Sequence, residues 1–95
     1  VLALKTLRLF WTEHPDAERP LRAWFSDASK ADWKNPHDVK SFDVAASILA
    51  DNRVVFNIKG NSYRLIVKIN YDYRVVYIRF IGTHAAYDAI NAEEV

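Results

Sequence analysis

The sequence predicts an α+β domain: a small antiparallel sheet, two N-terminal helices packed on one of its faces, and a short C-terminal helix. Three observations carry this. Apolar residues recur at helical spacing from Leu4 to Ala28. From Arg53 onward the period changes to two, over three successive runs. Between the first two runs stands Gly60-Asn61, the chemistry of a hairpin turn.

Taken in order, residues 1–3 read as a short strand. Leu4, Leu7, Phe10 and Trp11 form the stripe of a first helix. Pro15 ends it, because the residue before a proline is pushed out of the helical region. Asp16 then reads as the N-cap of a second helix, with Ala17, Leu21, Trp24, Phe25 and Ala28 as its stripe. Pro20 fits if the first turn is loose or the helix begins there. Asn35-Pro36-His37-Asp38 is turn chemistry, with Asn35 as cap and Pro36 at the first position of one short helical turn. Residues 43–51 carry no decisive pattern.

The strands can be set in register. With Gly60 and Asn61 as the turn, Asn57 faces Arg64 and Arg53 faces Lys68. One face then collects Val54, Phe56, Ile58, Tyr63, Leu65, Val67 and Ile69. The other collects Arg53, Asn57, Lys59, Ser62, Arg64 and Lys68, with Val55 and Ile66 among them. A third run, VVYIRFI, follows a loop at Tyr71-Asp72-Tyr73-Arg74. If Asn70 faces Val75, then Lys68 faces Tyr77 and Ile66 faces Arg79. Val76, Ile78 and Phe80 would join the apolar face, and Tyr77 and Arg79 the basic one. Gly82 is expected to break the strand and allow a sharp change of direction. Thr83 would cap a final helix running to about residue 91.

The bulk properties bound the possibilities. A chain of 95 residues holds one compact domain, taken here as residues 1–95. With 51% hydrophobic and 14% aromatic residues the composition is globular, not disordered. No cysteine is present, which excludes disulfides and thiolate metal sites and suits a reducing cytosol. No apolar run approaches the ~20 residues of a membrane span. The opening VLALKTLRLFW does not read as a signal peptide, so the expected location is cytoplasmic. The net charge of +1 is unevenly spread: residues 51–84 hold six basic against two acidic residues, +4, which leaves −3 elsewhere. Such asymmetry points to an anionic partner, or to strands that carry basic residues on a wet face.

No phosphate-cradling glycine loop and no nucleophile elbow is present. His14, His37 and His84 lack metal-ligand spacing, so no metal and no cofactor is expected. What remains is a basic sheet face ending at His84 and Tyr87, three apart on one side of a helix's first turn. The positive end of that helix should depress the histidine pKa and favour an imidazole that relays a proton. Lys59, Arg64 and Arg79 could hold a phosphate and stabilise charge developing on it. These parts suit metal-free RNA cleavage, in which a 2′-OH attacks the neighbouring phosphate. Each residue also has a plainer reading. His84 can finish a helix cap, Tyr87 can be a core aromatic, and Arg79 can end a strand in solvent. Trp33, Tyr71 and Tyr73 can stack on bases or merely cover an edge.

The runs RVVFNIKGNSYRLIVKIN and YRVVYIRFIGTHAAYDAI, with WFSDASKADWKNPHDVKSF before them, closely resemble the HigB toxins. These are a branch of the RelE-like superfamily of bacterial type II toxin–antitoxin systems. The resemblance implies the RelE-like fold and an mRNA interferase that cuts translated mRNA on the ribosome and so inhibits translation. It implies a HigA-like helix-turn-helix antitoxin, with operator DNA bound only through the toxin–antitoxin complex. The family pattern falls on Lys59, Asn61, Arg64, Arg79, His84 and Tyr87. By resemblance, Lys59, Arg64 and Arg79 bind phosphate, His84 transfers a proton, Tyr87 orients the substrate, and Asn61 helps the turn present its neighbours. Asp88 would support the helix. The expected site is therefore Arg64, Arg79, His84 and Tyr87 for catalysis, with Arg53, Asn57, Lys59, Asn61 and Lys68 binding RNA. The competing functions are a non-catalytic RNA- or ribosome-binding module and a purely structural partner in a complex.

Overall fold

The computed structural model describes residues 4–95; the strand expected over residues 1–3 lies outside them. Helix α1 (Leu4–Glu13) leads through a 3-10 turn (Pro15–Ala17) into α2 (Glu18–Lys30). Helix α3 (Pro36–Phe42) follows, and then four strands: β1 (Ser47–Ile48), β2 (Arg53–Ile58), β3 (Tyr63–Asn70) and β4 (Val75–Thr83). Helix α4 (His84–Asp88) starts at the end of β4. The strands form one antiparallel sheet in chain order, so each pairs only with its neighbours in sequence. This is the expected α+β architecture.

Local chemistry explains most boundaries. Asn35 caps α3 by accepting from the Asp38 N–H at 3.0 Å, and Pro36 occupies the first position. The result is a seven-residue helix rather than a single turn. Asp16 does not cap α2. Its backbone lies in the 3-10 turn, and its carboxylate is taken by Lys59 and by the Tyr63 hydroxyl. Helix α4 stops at Asp88, short of the expected end. The N–H groups of Ala89 and Ile90 bond three residues back, to Ala86 and Tyr87, and so close the helix. The short edge strand β1 lies in the stretch that had no decisive sequence pattern.

The core sits between the helices and one sheet face. Phe56 is fully buried at its centre, within aromatic contact of Trp24, Trp33 and Phe42. Leu7, Leu21, Val54, Leu65, Val67 and Ile69 complete the packing. Trp33 is part of this cluster, so its ring covers the core and is not available to a base.

The β2–β3 register is the expected one, with Arg53 opposite Lys68 and Asn57 opposite Arg64. The Lys59 carbonyl accepts from the Ser62 N–H at 3.1 Å, which leaves Gly60 and Asn61 at the tip. The β3–β4 register begins as expected, with Asn70 opposite Val75 and Lys68 opposite Tyr77. It then shifts at Ile66/Val67: Val67 faces Ile78 but Ile66 faces Phe80, so Arg79 is the extra residue of a bulge. The bulge corrects two expectations. Phe80 leaves the apolar face for the opposite one, and Ile81 packs against the core in its place. Arg79 does not face Ile66.

Gly82 does not break the strand, which continues to Thr83. Phe80 and Gly82 share a face, and a Cβ on Gly82 would sit 2.6 Å from the tip of the Phe80 ring. Glycine is needed there for the ring to lie across the strand. Gly82→Val should therefore lower stability by about 1–3 kcal/mol. In a Phe80→Ala background the penalty should shrink, because the obstructing ring is gone. Denaturant melts of the four proteins measure this coupling; additive losses would show that the ring is not the constraint.

Candidate functional site

The second face of the sheet is less open than expected. Val55 and Ile66 point away from the helices and yet are buried, at 3% and 0% exposure. The chain beyond α4 returns across this face, for the Val95 carbonyl accepts from Arg53 Nη2 at 2.8 Å, Arg53 Nε at 3.1 Å and Arg79 Nε at 3.3 Å. Ile90, Ala92 and Val95 are half-buried along the way. Both arginines reach one oxygen, which places Arg79 on the same face as Arg53 and, by strand alternation, Arg64.

Most cations of the second half are already neutralised. Asp51 takes Arg53 at 2.8 Å and Lys68 at 3.1 Å. Asp32 takes Arg74 at 2.7 Å, and Asp16 takes Lys59 at 2.5 Å. Among the described residues of this segment, Arg64 and Arg79 alone have no carboxylate partner.

Arg64 is held by neutral groups. Its Nη1 donates to the side-chain oxygens of Asn57 and, at 3.1 Å, of Asn61. Gly82 lies opposite it on β4 and offers no side chain. The Tyr87 ring lies 5.7 Å from the guanidinium carbon. Helix α4 brings that ring in because it is locked at its start: the His84 N–H donates to the Ser62 carbonyl at 3.2 Å. Thr83 caps the helix as expected, accepting from the Ala86 N–H at 3.1 Å. One turn on, the Asp88 carboxylate lies 3.0 Å from His84 Nδ1. That contact orients the imidazole and leaves Nε2 as the free nitrogen, in the manner of a base positioned by a third group. Its signal in the sequence is the i,i+4 spacing of His84 and Asp88, a spacing that also fits simple helix support.

Thus Asn57, Asn61, Arg64 and Tyr87 meet directly, with His84 on the same helix turn as Tyr87. Arg79 lies on the same face, three positions before Gly82 on β4. Lys68 lies on that face toward the far end of the sheet. Two expected RNA contacts stand apart. Arg53 is only 6% exposed and is consumed by Asp51 and Val95. Lys59 has a φ of +53°, which turns it off the Arg64 face toward Asp16 on the helix side. Among the described residues no three His, Cys, Asp or Glu side chains are grouped as a metal site would require. No described helix is long and apolar enough to cross a membrane.

The Asp16 clamp has a pH signature. Hydrogen bonds from Lys59, and next from Tyr63, hold its carboxyl below the usual 3.8. A depressed carboxylate stabilises the fold fully above its unfolded pKa of ~3.9, and that stabilisation drains away as pH falls toward the folded value. Asp16→Asn should therefore flatten the acid limb of a Tm-against-pH curve below about pH 4. An unchanged limb would mean that the clamp does not form in solution.

The model of one family, described as HigB_toxin, the RelE-like toxic component of a toxin–antitoxin system, matches residues 17–90. No curated protein matches the chain.

Proposed function

The chain belongs to the HigB toxin family, RelE-like toxic components of toxin–antitoxin systems, and from that premise we propose that it is an mRNA endoribonuclease acting on translated messages. Membership implies an antitoxin partner. In the proposed reading the partner is a HigA-like helix-turn-helix protein, the complex binds operator DNA through it, and the toxin works in the cytoplasm on ribosome-bound mRNA.

One observation carries the reading. Arg64, a guanidinium without a carboxylate partner, lies against the Tyr87 ring on the sheet face, within one turn of α4 from a histidine in contact with a carboxylate, and Arg79, also without one, lies on the same face. Of the six basic residues in the sheet segment, these two are the ones left without a carboxylate and so open to a phosphate. The proposed reaction needs no cofactor. The ribose 2′-OH gives up its proton and attacks the adjacent phosphorus, the P–O5′ bond breaks, and the 5′-oxygen leaves with a proton. The products are a 2′,3′-cyclic phosphate and a 5′-hydroxyl. His84 Nε2 is assigned the proton transfer, with Asp88 fixing the ring. Arg64 and Arg79 stabilise the charge that builds on the phosphoryl oxygens. Tyr87 braces Arg64 and flanks the substrate. Asn57 and Asn61 set the Arg64 rotamer, while Lys68, already paired with Asp51, lies farther along the same face. Arg53 and Lys59 drop out of the proposed contact set, because their charges are satisfied within the fold.

A second reading, a non-catalytic RNA- or ribosome-binding module, is favoured by the contact between Arg79 and the Val95 carbonyl, which occupies a donor that cleavage would use.

Primer extension on a defined mRNA in a reconstituted translation system separates the two. The toxin reading expects discrete, ribosome-dependent cuts that slow by about 10²–10⁴-fold in His84→Ala. Arg64→Ala should cost about 10²–10³-fold, and Asp88→Asn less than His84→Ala. Translation inhibited without cuts, and unaffected by His84→Ala, would establish the binding module instead.

A further inference from the structure

At the end of the sheet away from His84 lies a cleft of 380 Å³. Tyr77 and Lys68 line it from the same sheet face as Arg64, being cross-strand partners on β4 and β3. Asn52, Asn70, Tyr71 and Asp72 form the rest of its polar and aromatic wall. Nothing in the cleavage chemistry uses these groups.

We propose that this cleft is a nucleobase subsite, which takes one unpaired base of the RNA strand whose phosphate lies at Arg64. The inference rests on the RNA-cleaving reading and adds to it a second point of attachment.

The cleft's chemistry selects a base over a phosphate. Lys68 is already paired with Asp51 at 3.1 Å, and Asp72 brings a further carboxylate to the rim, so an anion finds no free charge. Hydrogen-bonding groups, in contrast, are free. The Asn52 side chain has no partner among the described residues. Asn70 spends its amide oxygen on the Tyr73 N–H at 3.1 Å and keeps its NH₂. A neutral heterocycle with donors and acceptors along one edge suits such amides. Its flat face suits Tyr77, a large aromatic left 40% exposed on the sheet. The buried Tyr71 hydroxyl meets no partner among the described residues.

Position agrees with chemistry. Lys68 follows Arg64 by four residues on β3, which puts the cleft ~13 Å from the phosphate-binding end along one face. An extended single strand covers that span in a nucleotide or two. The strand would run past Arg79 on the way, its backbone over the basic rows and its base turned into the cleft.

The test uses a 5′-labelled 2′-O-methyl oligoribonucleotide, which binds but cannot be cut, and sister oligomers with one abasic residue at successive positions. Fluorescence anisotropy gives Kd for the full chain and for Tyr77→Ala, Tyr77→Phe, Asn70→Ala and Arg64→Gln. The subsite predicts about tenfold weaker binding for Tyr77→Ala and retention in Tyr77→Phe. It also predicts one abasic position that costs the intact protein about as much, and costs Tyr77→Ala nothing further. Arg64→Gln should weaken every oligomer alike and lower the salt slope, leaving the abasic pattern unchanged. Loss with Arg64→Gln but none with Tyr77→Ala or any abasic oligomer would overturn the subsite and leave the RNA reading standing. No binding by any folded protein would also overturn the subsite, while the primer-extension cuts decide the RNA-cleaving reading on their own. Tm values confirm that the variants fold.

Discussion

The pairing of β3 with both of its neighbours is the constraint on which the other features depend. β3 is central, and its alternation decides at once which residues meet the helices and which meet the opposite side. Leu65, Val67 and Ile69 go to the core; Arg64, Ile66 and Lys68 go to the other face. A slip by one residue would bury two cations and expose the core. The bulge at Ile66/Val67 adds a local change of phase on β4. It lays Phe80 over Gly82, returns Ile81 to the core, and leaves Arg79 projecting from an unpaired position.

Electrostatics then sorts the cations that this register exposes. Asp51, Asp32 and Asp16 each lie near the ends of elements, and each satisfies the basic residues within reach. Exposed pairs such as those of Lys59 and Arg74 contribute little stability individually, with a median of about 0–1 kcal/mol. Their effect is selective: among the described basic residues of the sheet segment they leave Arg64 and Arg79 unmatched by a carboxylate. The asparagines around Arg64 fix its geometry and leave its charge intact.

Much of this was legible in the sequence because it depends on short-range pattern. The α1 stripe, the Asn35-Pro36 cap, the Gly60-Asn61 turn and the Thr83 cap all follow from a few adjacent residues, as does the β2–β3 register. What was not legible depends on contacts distant in the chain. Asp16 carries every local mark of an N-cap, but Lys59 and Tyr63 compete for its carboxylate. The β4 bulge leaves no mark in a run that alternates throughout, so sequence alternation alone predicts the apolar face for Phe80. Gly82 has the sequence mark of a hinge, but its reason is the ring two residues earlier. Arg53 looked like a surface cation because nothing nearby announces that residue 95 will return to it.

Strand order that follows chain order has a kinetic consequence. Each sheet pairing closes only the short loop between consecutive strands, and closing a short loop costs little entropy. Local contacts of this kind favour rapid folding. Arg64, Gly82 and Tyr87 belong to one hairpin and the helix that extends it, so they can assemble without waiting for the N-terminal helices to dock. The clamp from Asp16 to Lys59 and Tyr63 spans the greater distance along the chain and is the natural late event. A protein built this way would recover its sheet quickly after unfolding, with the helical layer settling onto a template already formed.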